Sequence, residues 1–104
     1  MLSVTAAASA ALTIALTGVA LADPPPPGNC GTGLGYENSR YAYCASGNGF
    51  VRVKLTCAND YTKRTTIYGK WVPVPNVPPS TVSSARCTSS YPYVMSVGYE
   101  TKPL

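Results

Sequence analysis

Hydrophobic and polar residues alternate most regularly between Phe50 and Cys57, which is the pattern of a half-buried β-strand. One face would carry Val51, Val53, Leu55 and Cys57, and the other would carry Phe50, Arg52, Lys54 and Thr56. Successive side chains of a strand point to opposite sides, so this period of two separates the sets. We therefore predict a strand over 50–57 with one core face and one wet, basic face.

Four further strands are predicted from weaker patterns, at 40–44, 65–72, 80–87 and 93–100. Asn48-Gly49 predicts a hairpin turn, because both residues tolerate a positive φ. The prolines of 73–79 predict a loop or an irregular edge, and the Gly- and Thr-rich segment 30–35 predicts a loop. No stretch after residue 22 has a helical period. The predicted fold is all-β, a small antiparallel sandwich or barrel of about five short strands.

Residues 1–22 have most features of an export signal. No charged side chain occurs from Leu2 to Ala22, and the last three residues fit an A-x-A cleavage site. A signal peptide usually begins with Lys or Arg, and none precedes this apolar stretch. The alternative interpretation is a membrane anchor, for which the length of the apolar stretch is borderline. We predict cleavage after Ala22, secretion, and membrane contact only during export. Residues 23–29 would then form an exposed, proline-rich N-terminal tail, and 30–104 the folded domain.

The cysteines predict a disulfide-bonded domain. Cys30, Cys44, Cys57 and Cys87 all follow the leader. A secreted chain of this size buries only a small core, and cross-links compensate for that. Four cysteines permit three pairings, of which Cys30–Cys44 with Cys57–Cys87 is favoured because sequential closure suits strands in hairpin order. No two cysteines have the short spacing of zinc ligands, so no metal site is predicted.

Charge and composition exclude several functional classes. The net charge is +4, and the basic residues are spread along the sequence, so no nucleic acid partner is predicted. The chain has no histidine, which removes the commonest general base and metal ligand. Glu37 and Glu100 could form a glycosidase pair, but solvated carboxylates are the simpler interpretation. We predict a chain that is not an enzyme and has no cofactor.

Aromatic residues are the positive functional signal. The chain contains eight tyrosines, one tryptophan and one phenylalanine. Tyrosine and tryptophan are frequent at binding hot spots, and eight tyrosines exceed what so small a core needs, so some should be exposed. The candidate binding residues are Arg40, Tyr41, Tyr43, Tyr68 and Trp71. The simpler expectation for Trp71, and for one face of the tyrosines, is that they build the core.

Three segments, at 49–57, 68–72 and 83–87, resemble small exported proteins of actinobacteria. Those proteins carry a strand ending in Cys, a Tyr-Gly-x-Trp-Val segment and a Ser-rich strand ending in Cys, and the group has no assigned activity. A second resemblance is to the tendamistat-type α-amylase inhibitors, which are secreted two-disulfide β-sandwiches with sequential pairing. Their inhibitory turn is Trp-Arg-Tyr, and Ser39-Arg40-Tyr41 has the same place between the first two cysteines. That resemblance implies that Arg40 and Tyr41 would contact the enzyme, with Ser39 in place of the tryptophan.

These observations predict a secreted, monomeric, non-enzymatic binding module. Its partner would be a protein or a cell-wall polysaccharide, contacted by exposed Tyr and Arg side chains. Two alternatives stay open. One is an inhibitor of a secreted hydrolase. The other is an antimicrobial or cell-surface-active protein, suggested by export and positive charge.

Overall fold

The computed structural model describes residues 24–60 and 62–104, and the regular structure there is entirely β, as predicted. The strands are β1 (Gly28–Leu34), β2 (Ser39–Ser46), β3 (Phe50–Ala58), β4 (Arg64–Tyr68), β5 (Val72–Pro73), β6 (Ser83–Arg86) and β7 (Tyr93–Lys102). The predicted leader and its cleavage site lie outside the described residues. In the described ranges, no helix is long and apolar enough to cross a membrane.

The strands form two antiparallel sheets that pack face to face, so the sandwich rather than the barrel is the observed alternative. The three-stranded sheet has the order β1-β2-β6. In the four-stranded sheet, β3 is central: β7 pairs with one edge, and β4 and then β5 pair with successive parts of the other. The core face predicted for β3 is confirmed. Val51 and Val53 are fully buried and pack with Ala42 and Cys44 of β2.

The structure contains the two disulfides that the sequence favours, and they have different tasks. Cys30–Cys44 joins the neighbouring strands β1 and β2 within one sheet. Cys57–Cys87 joins β3 to the residue after β6, and so ties the two sheets together. The first closes a loop worth roughly 3 kcal/mol on a chain-entropy model, and the second, longer loop contributes slightly more. Two such bonds indicate folding in an oxidising environment outside the cytoplasm.

The prediction of a loop at 30–35 is wrong for all but its last residue, because 30–34 belong to strand β1. Gly31 lies opposite Tyr43, and Gly33 lies opposite Tyr41. A Cβ at Gly31 would lie 2.9 Å from Tyr43 Oη, and a Cβ at Gly33 would overlap the Tyr41 ring. The glycines are therefore accommodated in a strand because tyrosine rings of the neighbouring strand cover them.

The predicted Asn48-Gly49 hairpin is also wrong, because β2 and β3 belong to different sheets. Residues 47–49 carry the chain from one sheet to the other, with φ of 88° and 118° at the two glycines. The N–H of Asn48 donates to the carbonyl of Pro25 at 2.9 Å. The proline segment, although exposed, therefore lies against this turn, and β1 begins inside the segment predicted to be a tail.

The remaining predicted elements occur with shifted boundaries. Strand β6 begins at Ser83, three residues later than predicted, and β7 ends at Lys102, two residues later. The proline-rich segment 73–79 is irregular, as expected: it contributes Pro73 to β5 and otherwise one isolated bridge to β2.

The predicted third strand is interrupted by a β-bulge, with β4 and β5 on either side of it. Strand β4 pairs with β3 as far as Tyr68 opposite Lys54, and β5 resumes with Val72 opposite Val51. Three residues, 69–71, therefore stand opposite two residues of β3. The extra residue exchanges the two sides of the strand beyond it. As a result Val72 turns into the core, where it is only 8% exposed.

A serine hydroxyl from the opposite sheet completes the hydrogen bonding at this bulge. Ser83, on the inner face of β6, is 1% exposed. Its Oγ accepts the N–H of Val53 at 3.0 Å and donates to the carbonyl of Lys70 at 2.6 Å. A Cβ at Gly69 would lie 2.5 Å from that Oγ and 2.7 Å from the Ser84 carbonyl oxygen. The bulge therefore depends on a hydroxyl at 83 and a glycine at 69.

We expect Ser83→Ala to lower the free energy of unfolding by at least about 2 kcal/mol, because it leaves two backbone groups without a partner and each such group costs about 1–3 kcal/mol. Ser84→Ala is the matched control, since that neighbour is exposed, and it should change the free energy by less than about 0.5 kcal/mol. Urea unfolding of the disulfide-intact domain measures both. Equal, small effects of the two substitutions would contradict this account of the bulge.

Candidate functional site

Two of the five predicted binding residues, Tyr41 and Tyr43, lie on the outer face of the three-stranded sheet. Ala42 and Cys44 alternate with them and are fully buried on the inner face. The two tyrosine rings are tilted by 41°, with centroids 6.3 Å apart. Both side chains are half-buried over the glycines of β1. Cross-strand packing thus accounts structurally for part of the tyrosine excess.

Arg40 does not join these tyrosines. Its Nη1 donates to the carbonyl of Ser39 at 2.7 Å and to that of Glu37 at 3.3 Å, so the guanidinium folds back on the preceding loop. The pleat of β2 also places Arg40 and Tyr41 on opposite sides of the strand. The structure therefore does not combine them in one contact surface of the kind that the inhibitor resemblance implies.

The other two candidates, Tyr68 and Trp71, come together on the outer face of the four-stranded sheet. The guanidinium carbon of Arg52 lies 4.1 Å from the centroid of the tyrosine ring and 4.5 Å from that of the tryptophan. Lys102 Nζ lies 4.5 Å from the Trp71 ring and 5.4 Å from the ring of Phe50. Three rings and two cations are thus linked in a row of cation–π contacts.

Strand pairing explains why these side chains share one face. Alternate residues of β3 point outward, the register sets Tyr68 beside Lys54 and Glu100 beside Arg52, and Lys102 stands beside Phe50. We call this surface the Arg52 face. Its aromatic and charged members are Phe50, Arg52, Lys54, Arg64, Tyr68, Trp71, Glu100 and Lys102.

The expectation that Trp71 helps to build the core is wrong. The side chain is half-buried and belongs to neither core cluster. Without the bulge, the register of β4 would set Trp71 opposite Val51, on the core side. The extra residue turns the ring outward and gives its place in the core to Val72. The sequence does contain a signal for this, since a glycine inside a strand pattern, here Gly69, often marks a bulge.

An ion pair holds Arg52 in place between its aromatic neighbours. Its Nε and Nη2 both donate to Glu100 Oε1, at 2.9 and 2.7 Å. The arginine side chain is 27% exposed and the glutamate side chain 36%. A guanidinium that is stacked on rings and doubly hydrogen-bonded has little freedom to reorient. The rings it contacts are thus presented on an ordered support.

Sequence reasoning did not name six members of this face as binding residues: Phe50, Arg52, Lys54, Arg64, Glu100 and Lys102. The alternation in strand 50–57 did identify a basic outer face. The missing information is the partner strand, because nothing local in the sequence indicates that β7 pairs with β3 in a register that brings Glu100 and Lys102 to that face.

The Arg52 face can stack and attract anions, but it is not arranged for acid–base chemistry. Glu100 is held by Arg52, while Glu37, the other carboxylate considered above, lies 3.9 Å from Arg86 on the other sheet. Among the described residues, no group of three or more His, Cys, Asp or Glu side chains is placed to hold a metal ion.

A shallow recess lies between the proline segment, the turn at Asn48 and the last two residues of the sequence. It is lined by Pro24, Pro25, Pro26, Asn48, Pro103 and Leu104. This lining contains no charged side chain and no nucleophile, so the recess offers fewer recognition groups than the Arg52 face.

Comparisons of the chain with protein-family models, with curated proteins and with solved structures found no match. The function is therefore inferred from the geometry of the Arg52 face.

The single tryptophan of the chain makes the bulge measurable. We expect Gly69→Ala to destabilise the domain by about 1–3 kcal/mol, as overpacking does, and to shift the fluorescence of Trp71 as the bulge distorts. Gly98→Ala is the control, because a Cβ there would meet no atom within 4 Å. An unchanged emission maximum and midpoint for Gly69→Ala would show that the bulge does not need this glycine.

We also expect Arg52→Ala to shift the emission of Trp71 to longer wavelength, because removal of the stacked guanidinium opens the ring to water. The unfolding free energy should fall by about 1–2 kcal/mol, the combined size of two partly exposed cation–π contacts and an ion pair. Arg64→Ala, an exposed arginine of the same face, should leave both readouts nearly unchanged. Equal shifts for the two variants would contradict the role given to Arg52.

Proposed function

We propose that the protein is a secreted, non-enzymatic binding module and that the Arg52 face is its binding surface. The observation that carries this proposal is the row of aromatic rings and cations, joined by contacts of 4.1–5.4 Å and still open to solvent. Tyr68 is 44% exposed, while Trp71 and Phe50 are half-buried. A partner can therefore gain further contact with rings that the fold has already ordered.

Preorganisation favours binding at the Arg52 face over binding at Tyr41 and Tyr43 on the three-stranded sheet. Ordering a mobile side chain on binding costs roughly 0.5–1.5 kcal/mol, and the Arg52–Glu100 pair reduces that cost here. Tyr41 and Tyr43, in contrast, already cover Gly31 and Gly33, and thus have a structural task. Secretion fits the two disulfides, which form where proteins are exported.

Polysaccharides are the first partners to test, since the apolar faces of sugar rings pack on aromatic side chains. Disulfide-intact protein would be incubated with insoluble cellulose, chitin, starch and washed bacterial cell walls, and with polysaccharides immobilised in gels. We expect retention by at least one of them, weakened about tenfold by Tyr68→Ala or Trp71→Ala, as expected of hot-spot aromatics. Tyr36→Ala is the control, because that exposed tyrosine lies on the loop between β1 and β2.

Three results would contradict the proposal. Retention by no polymer is the first, and retention that Tyr68→Ala and Trp71→Ala leave unchanged is the second. The third is shortening of the bound polymer during the incubation, which would make the protein an enzyme. Each variant would be compared at equal folded fraction, checked by thermal unfolding. Loss of retention in Tyr43→Ala alone would move the binding surface to the three-stranded sheet.

A further inference from the structure

The Arg52 face concentrates most of the net charge of the protein. It carries four cations, Arg52, Lys54, Arg64 and Lys102, and one carboxylate, Glu100. Its net charge is therefore +3, of +4 for the whole chain. Arg52 and Lys54 share this side because they alternate along β3. Arg64, Glu100 and Lys102 join them only through the pairing of β4 and β7 with β3.

The cations of this face differ in whether a carboxylate of the protein neutralises them. Arg52 is neutralised by Glu100 at 2.7 Å, whereas Lys54, Arg64 and Lys102 are exposed. The neutralised arginine lies between Tyr68 and Trp71. Lys102 lies over Trp71 and Phe50, and Lys54 stands beside Tyr68. This arrangement suits a ligand with a ring-shaped apolar face and negative charges beside it.

We propose that the Arg52 face binds a polysaccharide that carries anionic groups along its chain. This inference rests on the proposed function and adds the chemical class of the ligand. Sugar rings would pack on Tyr68 and Trp71, while Lys54 and Lys102 pair with anionic substituents. Lys54 and Phe50, which Lys102 contacts, are four residues apart on β3, a distance of roughly 13 Å at about 3.3 Å per residue. The surface is thus longer than one sugar ring and suits a polymer better than a monosaccharide.

The compartment of an exported protein favours an anionic polysaccharide over a nucleic acid as the ligand. Both polymers offer rings and negative charges. The two disulfides indicate an exported protein, and the polymers that surround exported proteins at cell surfaces are mainly polysaccharides. Because single-stranded DNA also offers rings and negative charges, it is included in the test as a competing ligand.

Two pairs of polymers separate charge from sugar recognition. Polygalacturonate would be compared with its methyl ester, which keeps the sugar and removes the carboxylate charge, and dextran sulfate with dextran. Affinity electrophoresis of the disulfide-intact protein measures retardation in each gel. We expect at least one charged polymer to bind about tenfold more tightly than its neutral partner, a difference of about 1.4 kcal/mol that two exposed ion pairs can supply. Retardation should fall as salt screens the exposed charges.

Two double variants with the same loss of charge test whether the charged polymer binds at the Arg52 face. Lys54→Gln with Lys102→Gln removes two cations from the Arg52 face, and Lys63→Gln with Arg86→Gln removes two cations elsewhere. We expect the first pair to weaken binding to the charged polymer about tenfold and the second less than about threefold. Equal losses in both double variants would show attraction by net charge alone and overturn the site.

The remaining outcomes distinguish a failure of the proposed ligand class from a failure of the proposed function. Equal binding to a charged polymer and to its neutral partner overturns the ligand class, but leaves the binding module in place. Binding to neither charged polymer, together with retention on a neutral polymer of the earlier panel, has the same meaning. Retention by no polysaccharide at all overturns the proposed function itself. Binding to a single-stranded oligothymidylate, with no binding to the anionic polysaccharides, would identify a nucleic acid ligand and overturn the inference.

Discussion

The register of the outer edge of the four-stranded sheet depends on one hydroxyl group. Ser83 crosses from the opposite sheet and satisfies the N–H of Val53 and the carbonyl of Lys70, at the point where an extra residue breaks the ladder. A buried backbone group without a partner costs about 1–3 kcal/mol, so the serine stabilises the bulge in this place. The orientation of Trp71 and the burial of Val72 both follow from it.

The same hydroxyl also joins the two sheets, a task it shares with the Cys57–Cys87 disulfide. A sandwich of so few residues buries a small core, in which the largest fully buried side chain is that of Leu55. Hydrophobic burial alone would give such a domain only a small free energy of unfolding. The covalent link at one position along β3 and the hydrogen bond at another fix how the sheets face each other, which a few buried valines would define less well.

The sequence predicted those parts of the fold in which local pattern and packing agree. Strand 50–57 alternates cleanly, so its core face and its basic face were both correctly assigned. Strand β1 was missed because Gly31 and Gly33 indicate a loop until the tyrosines that cover them are known. Asn48-Gly49 predicts a hairpin because the local preference of these residues does not reveal that the flanking strands join different sheets. In both cases the deciding contact is distant in sequence.

The candidate site was predictable only in part, for the same reason. The sequence identifies Tyr68 and Trp71 as candidate binding residues, but it places Arg52, the side chain that connects them, only on a wet face. A solvated arginine and one held between two rings look identical in a sequence. Its position is decided by Glu100, which lies 48 residues further along the chain. Because that pairing neutralises Arg52, one of the two cations that contact the rings, it also decides which cations of the Arg52 face stay available to a ligand.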